Sequence, residues 1–157
     1  MISPSVSLTA FLSLSGVRPS KADDYLCTVV AVRDLGPRKI WATAFQAIAS
    51  GNRAHHMIIS RCKSPVKKGS GATWDCAQHA MCSDSKIMFG WANHAKPTKL
   101  PADVGFQLEA DDYIVLQVHY AARVLTYAIK NQRKARNAPS RGFGCLELVL
   151  YGIRELA

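Results

Sequence analysis

The clearest alternation of apolar and polar positions runs from Asp112 to Tyr120. Ile114, Leu116, Val118 and Tyr120 fall on one side, and Tyr113, Val115, Gln117 and His119 on the other. Successive strand side chains point to opposite faces, so this pattern predicts a strand whose first face lines a core. The second, more polar face carries His119 out of the sheet, with its imidazole free to act as a ligand. Leu8 to Leu14 alternates in the same way. Tyr25 to Val32 is β-branched and aromatic, and Gly36-Pro37 follows it as a turn signal. Lys39 to Ala49 is apolar and is assigned as a strand because both of its neighbours are strands. Ser50-Gly51-Asn52 then turns the chain into a β-like segment, residues 53 to 62. Ser64 to Thr73, rich in Lys, Gly and Ser, predicts a loop. Lys86 to Trp91 is a further strand, and Pro97 and Pro101 make Asn93 to Pro101 a loop. Arg123 to Arg141 is polar and basic, and Cys145 to Tyr151 supplies a last strand. Many short strands with turn signals between them predict an antiparallel all-β sandwich or barrel.

Composition narrows this picture. The chain has 157 residues, 48% of them hydrophobic and 20% charged, which suits one globular domain with a real core. No run of eighteen apolar residues is present. The N-terminal stretch loosely suggests a secretory h-region but has neither a basic n-region nor a small-x-small cleavage site, so no functional signal peptide is expected. The net charge of +9 is unevenly placed: residues 121 to 157 hold seven Lys/Arg against two Glu, a net of +5. The rest is only mildly basic, and a solvated surface rather than a nucleic-acid interface is expected there.

Candidate chemistry centres on His55 and His56, which lead into the segment ending at Cys62. Imidazole suits copper and zinc at neutral pH. Adjacent residues can share one metal only at a bulge, a strand end or a loop edge. Five cysteines, with Cys62, Cys76 and Cys82 close together, point to disulfides and an oxidising compartment, and an odd count leaves at least one thiol unpaired in a monomer. The conflict between that compartment and the missing signal suggests a reading frame incomplete at its start. Three readings stand: a zinc knuckle from Cys62, Cys76, His79 and Cys82; copper or zinc on His55, His56 and His119; and no metal. The knuckle is weakened because Cys62 has no close-spaced companion. There is no Gly-x-Ser-x-Gly elbow, and Gly69-Ser70-Gly71 lacks the strand–turn–helix setting of a phosphate loop.

One constellation is more specific. His55-His56-Met57, Cys62, Trp74-x-Cys76, Cys82, Gly90-Trp91-Ala92, Pro97-Thr98-Lys99-Leu100-Pro101, Val104-Gly105-Phe106 and Leu116-Gln117-Val118-His119-Tyr120 together resemble the copper type II, ascorbate-dependent monooxygenases. The resemblance is collinear from about Leu14 to Tyr120. The Leu-Gln-Val-His-Tyr strand and the Pro-Thr-Lys-Leu-Pro loop favour the peptidylglycine α-hydroxylating branch over the dopamine β-hydroxylase branch, which shares the His-His-Met and cysteine pattern.

The resemblance implies a jelly-roll-like antiparallel β-sandwich stapled by disulfides Cys27–Cys76 and Cys62–Cys82, forming the N-terminal of two copper-bearing domains. Residues 1 to 120 would be its main part, and 121 to 157 a divergent basic segment with a possible closing strand. It makes His55, His56 and His119 the ligands of one electron-transfer copper, with ascorbate as the reductant and Gln117 a candidate for positioning or coupling that copper. Tyr25 matches a family aromatic, whereas His79 and His94 match no ligand. By family the chain belongs to an enzyme that hydroxylates a C-terminal glycine in peptide amidation. Its partners would be a glycine-extended peptide and a domain carrying the catalytic copper, and its location the secretory pathway or outside the cell; no nucleic acid is expected. Two departures qualify this: no His-x-His pair of the catalytic site occurs, and the cysteine expected to pair with Cys145 is absent. The rival reading is a non-catalytic copper-binding or structural fragment.

Overall fold

The computed structural model describes residues 7–14, 17, 19–36, 39–49, 54–77, 81–121 and 147–154. Ten strands are described: β1 (Ser7–Ser13), β2 (Asp24–Ala31), β3 (Lys39–Ile48), β4 (His56–Cys62), β5 (Thr73–Asp75), β6 (Lys86–Ala92), β7 (Thr98–Lys99), β8 (Phe106–Glu109), β9 (Tyr113–Tyr120) and β10 (Glu147–Arg154). A single 3-10 turn, Val32–Asp34, follows β2. All pairings among the described strands are antiparallel, so the all-β antiparallel class expected from the sequence is the class observed. One sheet has the order β1-β10-β3-β7, with β8 also on β3; the other has the order β5-β2-β9-β4-β6.

The two sheets pack face to face. Ala10 and Leu12 of β1, Ile40, Ala42 and Phe45 of β3, and Leu108 of β8 meet Met57 and Ile59 of β4, Phe89 and Trp91 of β6, and Ile114, Leu116 and Val118 of β9. The alternation in β1 is visible here: Ala10 and Leu12 are buried, while Phe11 is 62% exposed. β10 enters the first sheet between β1 and β3, so the last apolar run of the chain is a strand, shifted slightly from the expected 145–151.

Three expectations are corrected. β9 is not half-buried: every one of its residues is buried. Its outward face supports a second, smaller core of Cys27, Val29, Ala31, Cys62, Trp74, Cys76, Met81, Tyr113 and Val115. The chain between β4 and β6 folds back over that face, and alternation within one strand carries no information about a layer supplied from elsewhere. Two disulfides hold this layer down, Cys27–Cys76 with Cα atoms 5.7 Å apart and Cys62–Cys82 at 6.2 Å. Oxidised sulfurs are not zinc ligands, so the zinc-knuckle reading is overturned. The loop expected over Asn93 to Pro101 also contains β7, which lies on Ala44 and Phe45 of β3. Cys145, His79 and the basic run 122–146 lie outside the described residues.

Candidate metal centre

The register of three strands builds the site. β2 and β4 flank β9, with Tyr25 opposite His119 and His56 opposite His119. Residues opposite one another in a ladder share a face. Tyr25, His119 and His56 therefore form one row on the outward face, at one end of the sheet, where Tyr25 packs against the edge of the second core. His56 is the first residue of β4. His55 precedes it in a bend, and its N–H donates to the His119 carbonyl at 2.9 Å. The strand end thus resolves the alternation problem: outside the ladder, His55 is free to turn its ring towards the same side as its neighbour.

The three rings converge through one type of atom. His55 Nδ1 lies 3.1 Å from His56 Nδ1, and His119 Nδ1 lies 3.3 Å from His56 Nδ1. One ligand atom from each ring falls within 4.8 Å of the others. Two nitrogens bound about 2.0–2.1 Å from one ion, at angles of roughly 90–120°, would sit about 2.8–3.6 Å apart. Both close separations lie in that range, so the three rings are a candidate donor set for a transition-metal ion of the kind imidazole prefers.

The surroundings suit neutral imidazoles. Burial first, then the neighbouring His119 and His55 rings, hold the His56 pKa below the ordinary 6.5, which leaves one ring nitrogen with a free lone pair at neutral pH. His119 is only 7% exposed. Tyr25 stacks on it with ring centroids 4.1 Å apart and planes within 5°, which fixes the plane of that ring. On its far side, His119 Nε2 meets Asp23 Oδ1 at 3.1 Å.

Gln117 shares the His119 face of β9, but its Nε2 donates to the Ala77 carbonyl at 3.0 Å and lies 3.6 Å from Cys76 Sγ. The amide nitrogen therefore ties the outer layer to the sheet between the second core and the histidines. His94, in the turn after β6, is exposed and lies outside the histidine cluster. Sequence reasoning missed Asp23. The only available signal was its position: an acidic residue two before Tyr25, on the alternation that leads to the His119 neighbour.

A disulfide-stapled antiparallel β domain with three converging imidazoles at a sheet end defines a class, the metal-binding β-sandwich domains. The chain matches the copper type II ascorbate-dependent monooxygenase N-terminal domain over residues 12–125, and it belongs to that family. It is 36% identical over 115 residues to peptidyl-glycine alpha-amidating monooxygenase A of Xenopus laevis, a match covering 71% of this chain and 12% of the relative. The identity to the Mus musculus peptidyl-glycine alpha-amidating monooxygenase is 33% over 119 residues, covering 74% and 12%. The Rattus norvegicus peptidylglycine alpha-amidating monooxygenase is likewise 33% identical, over 112 residues, covering 69% and 11%. The chain spans about one-eighth of the length of these relatives. Copper and ascorbate are thus the cofactor and reductant of the family to which the chain belongs.

Proposed function

We propose that this domain is the electron-supplying copper half of a peptidylglycine α-hydroxylating monooxygenase, with His55, His56 and His119 as the copper ligands. The observation that carries the reading is the convergence of three Nδ1 atoms at one sheet end in a chain of a copper-dependent family. Three neutral imidazoles hold Cu(I) and also accept Cu(II), so copper bound there supplies one-electron transfer from ascorbate. The residues around the three rings would hold them in place for that copper. Tyr25 restrains the His119 ring, the antiparallel register fixes His56 against His119, and the His55 N–H bond to the His119 carbonyl anchors the first ligand.

The proposed whole reaction is the hydroxylation of the α-carbon of a C-terminal glycine by O2 and ascorbate. The glycine-extended peptide and the second copper belong to a partner domain, because the 157 residues contain no His-x-His pair. The β-sandwich would take the jelly-roll connectivity of the family, and the two disulfides support a place in the secretory pathway or outside the cell. The test is to incubate the purified chain with copper, ascorbate, O2 and a glycine-extended peptide. The expected result is one bound copper, reducible by ascorbate, and no hydroxylated peptide. Clear turnover by this chain alone would overturn the division of labour.

A further inference from the structure

We propose that Asp23 is a positioning residue for the metal centre: it holds the His119 proton on Nε2 and so commits Nδ1 to the ion. The inference rests on the copper reading of the three histidines and assigns a residue outside that ligand set. A neutral imidazole carries one proton, and whichever nitrogen donates leaves the other as the ligand. His119 has its two nitrogens in opposite settings. Nδ1 faces His56 Nδ1 at 3.3 Å, and Nε2 faces the Asp23 carboxylate at 3.1 Å. A carboxylate only accepts, so Nε2 must be the donor, and the Nδ1 lone pair then points at the place where the other two rings converge.

The local sequence holds Asp23 over His119. Asp24, itself 2% exposed, accepts from the Ser20 N–H at 2.6 Å, the Lys21 N–H at 3.3 Å and the Ser20 hydroxyl at 3.4 Å, which closes the turn leading into β2. Lys21 pairs with Asp75 at the end of β5, fastening the same turn to the neighbouring strand. Tyr25 then lies flat on the His119 ring. Three consecutive residues thus divide the work: Asp24 shapes the turn, Tyr25 sets the ring plane, and Asp23 selects the nitrogen.

The Asp23 side chain is 69% exposed, and a pair this open to water adds little to folding. Its effect is therefore directional rather than stabilising, which separates this role from a structural one. Partners on the far nitrogen of a metal-bound histidine typically change metal affinity by about 10–100-fold.

The experiment uses the purified 157-residue chain, its Asp23→Ala variant and its Asp23→Asn variant, which keeps an acceptor oxygen without the charge. In the metal-free proteins, ring nitrogen NMR reads the His119 tautomer. Copper titration gives the Cu(II) affinity, and denaturation gives the stability. The expected result is an Nε2–H tautomer in the wild type, a mixed population in Asp23→Ala with Cu(II) affinity lower by about 10–100-fold, unchanged stability, and recovery of both readouts in Asp23→Asn. Wild-type affinity in Asp23→Ala, or equal losses in both variants, would overturn the positioning role. A wild type that takes up no copper contradicts the copper reading instead. The tautomer then decides Asp23 by itself, an Nδ1–H form in the wild type overturning the assignment and an Nε2–H form lost in Asp23→Ala supporting it.

Discussion

Removing the Cys27–Cys76 bridge tests how the outer layer and the metal centre depend on each other. The bridge closes a loop with a sequence separation of 49, and Cys62–Cys82 closes one of 20. In the chain-entropy description, loops of these sizes stabilise by about 4 and about 3 kcal/mol respectively. Either value is a large share of the roughly 5–15 kcal/mol by which a domain is stable. The consequences for the site should differ. Cys27 is two residues from Tyr25 on the same strand face, and the Cys76 N–H donates to the Tyr25 carbonyl at 2.9 Å. Cys62 lies at the opposite end of β4 from His56. Replacing Cys27 and Cys76 together with Ala should therefore lower both stability and copper affinity, whereas the Cys62/Cys82 pair of substitutions should lower stability alone. With a urea m-value of about 2 kcal/mol/M, the first loss moves the unfolding midpoint by about 2 M. Urea unfolding followed by tryptophan fluorescence, with copper titration below the transition, reads both effects. A midpoint shift under about 0.5 M for the Cys27/Cys76 variant would refute the reasoning, because the outer layer would then be held by its own packing. Equal losses of copper affinity in the two double variants would refute the coupling to Tyr25.

Other consequences follow from particular residues. Leu116 is fully buried at the centre of the inter-sheet core, so Leu116→Ala should cost about 2–5 kcal/mol in chemical denaturation. Asp112, also fully buried, forms ion pairs through Oδ1 with Arg61 Nε and Lys63 Nζ at 2.9 Å each, and its Oδ2 accepts from the Glu109 N–H at 2.7 Å; Asp112→Ala should cost about 1.5–3 kcal/mol, the range of a hydrogen bond to a charged group. The His56 pKa is held below 6.5, so between the two values the unfolded chain binds more protons than the folded one. The stability contributed by His56 is then fully present above pH 6.5 and is lost progressively as the pH falls from 6.5 through the lower folded-state pKa. Thermal melts of the metal-free domain between pH 7.5 and 5.5 should show that decline, and the His56→Ala variant should show less of it.

Much of the fold was legible because its long strands carry a period of two, as in Leu8 to Leu14 and Asp112 to Tyr120, or runs of apolar, β-branched and aromatic residues between turn signals. Leu8 to Leu14, Tyr25 to Val32, Lys39 to Ala49, Lys86 to Trp91 and Asp112 to Tyr120 each became a strand within a residue or two of the expected limits. β5, β7 and β8, of two to four residues, are too short to display a period. They exist because longer neighbours offer them ladder partners. The face of Val115 and Gln117 was misjudged for a related reason, since its cover comes from the segment between β4 and β6. At the site, histidine chemistry and the family pattern singled out His55, His56 and His119, and the structure brings those three rings together. Asp23 was not legible: a carboxylate in a turn declares no direction until the register of β2 on β9 is known.

The most direct test of the copper site is titration of Cu(I) and Cu(II) into the purified, oxidised domain beside its His119→Ala variant, with the ligands read by X-ray absorption. The account predicts one copper per chain on imidazole nitrogens, with the variant losing one nitrogen ligand and binding more weakly. Absence of copper binding, or an unchanged ligand set in His119→Ala, would contradict it.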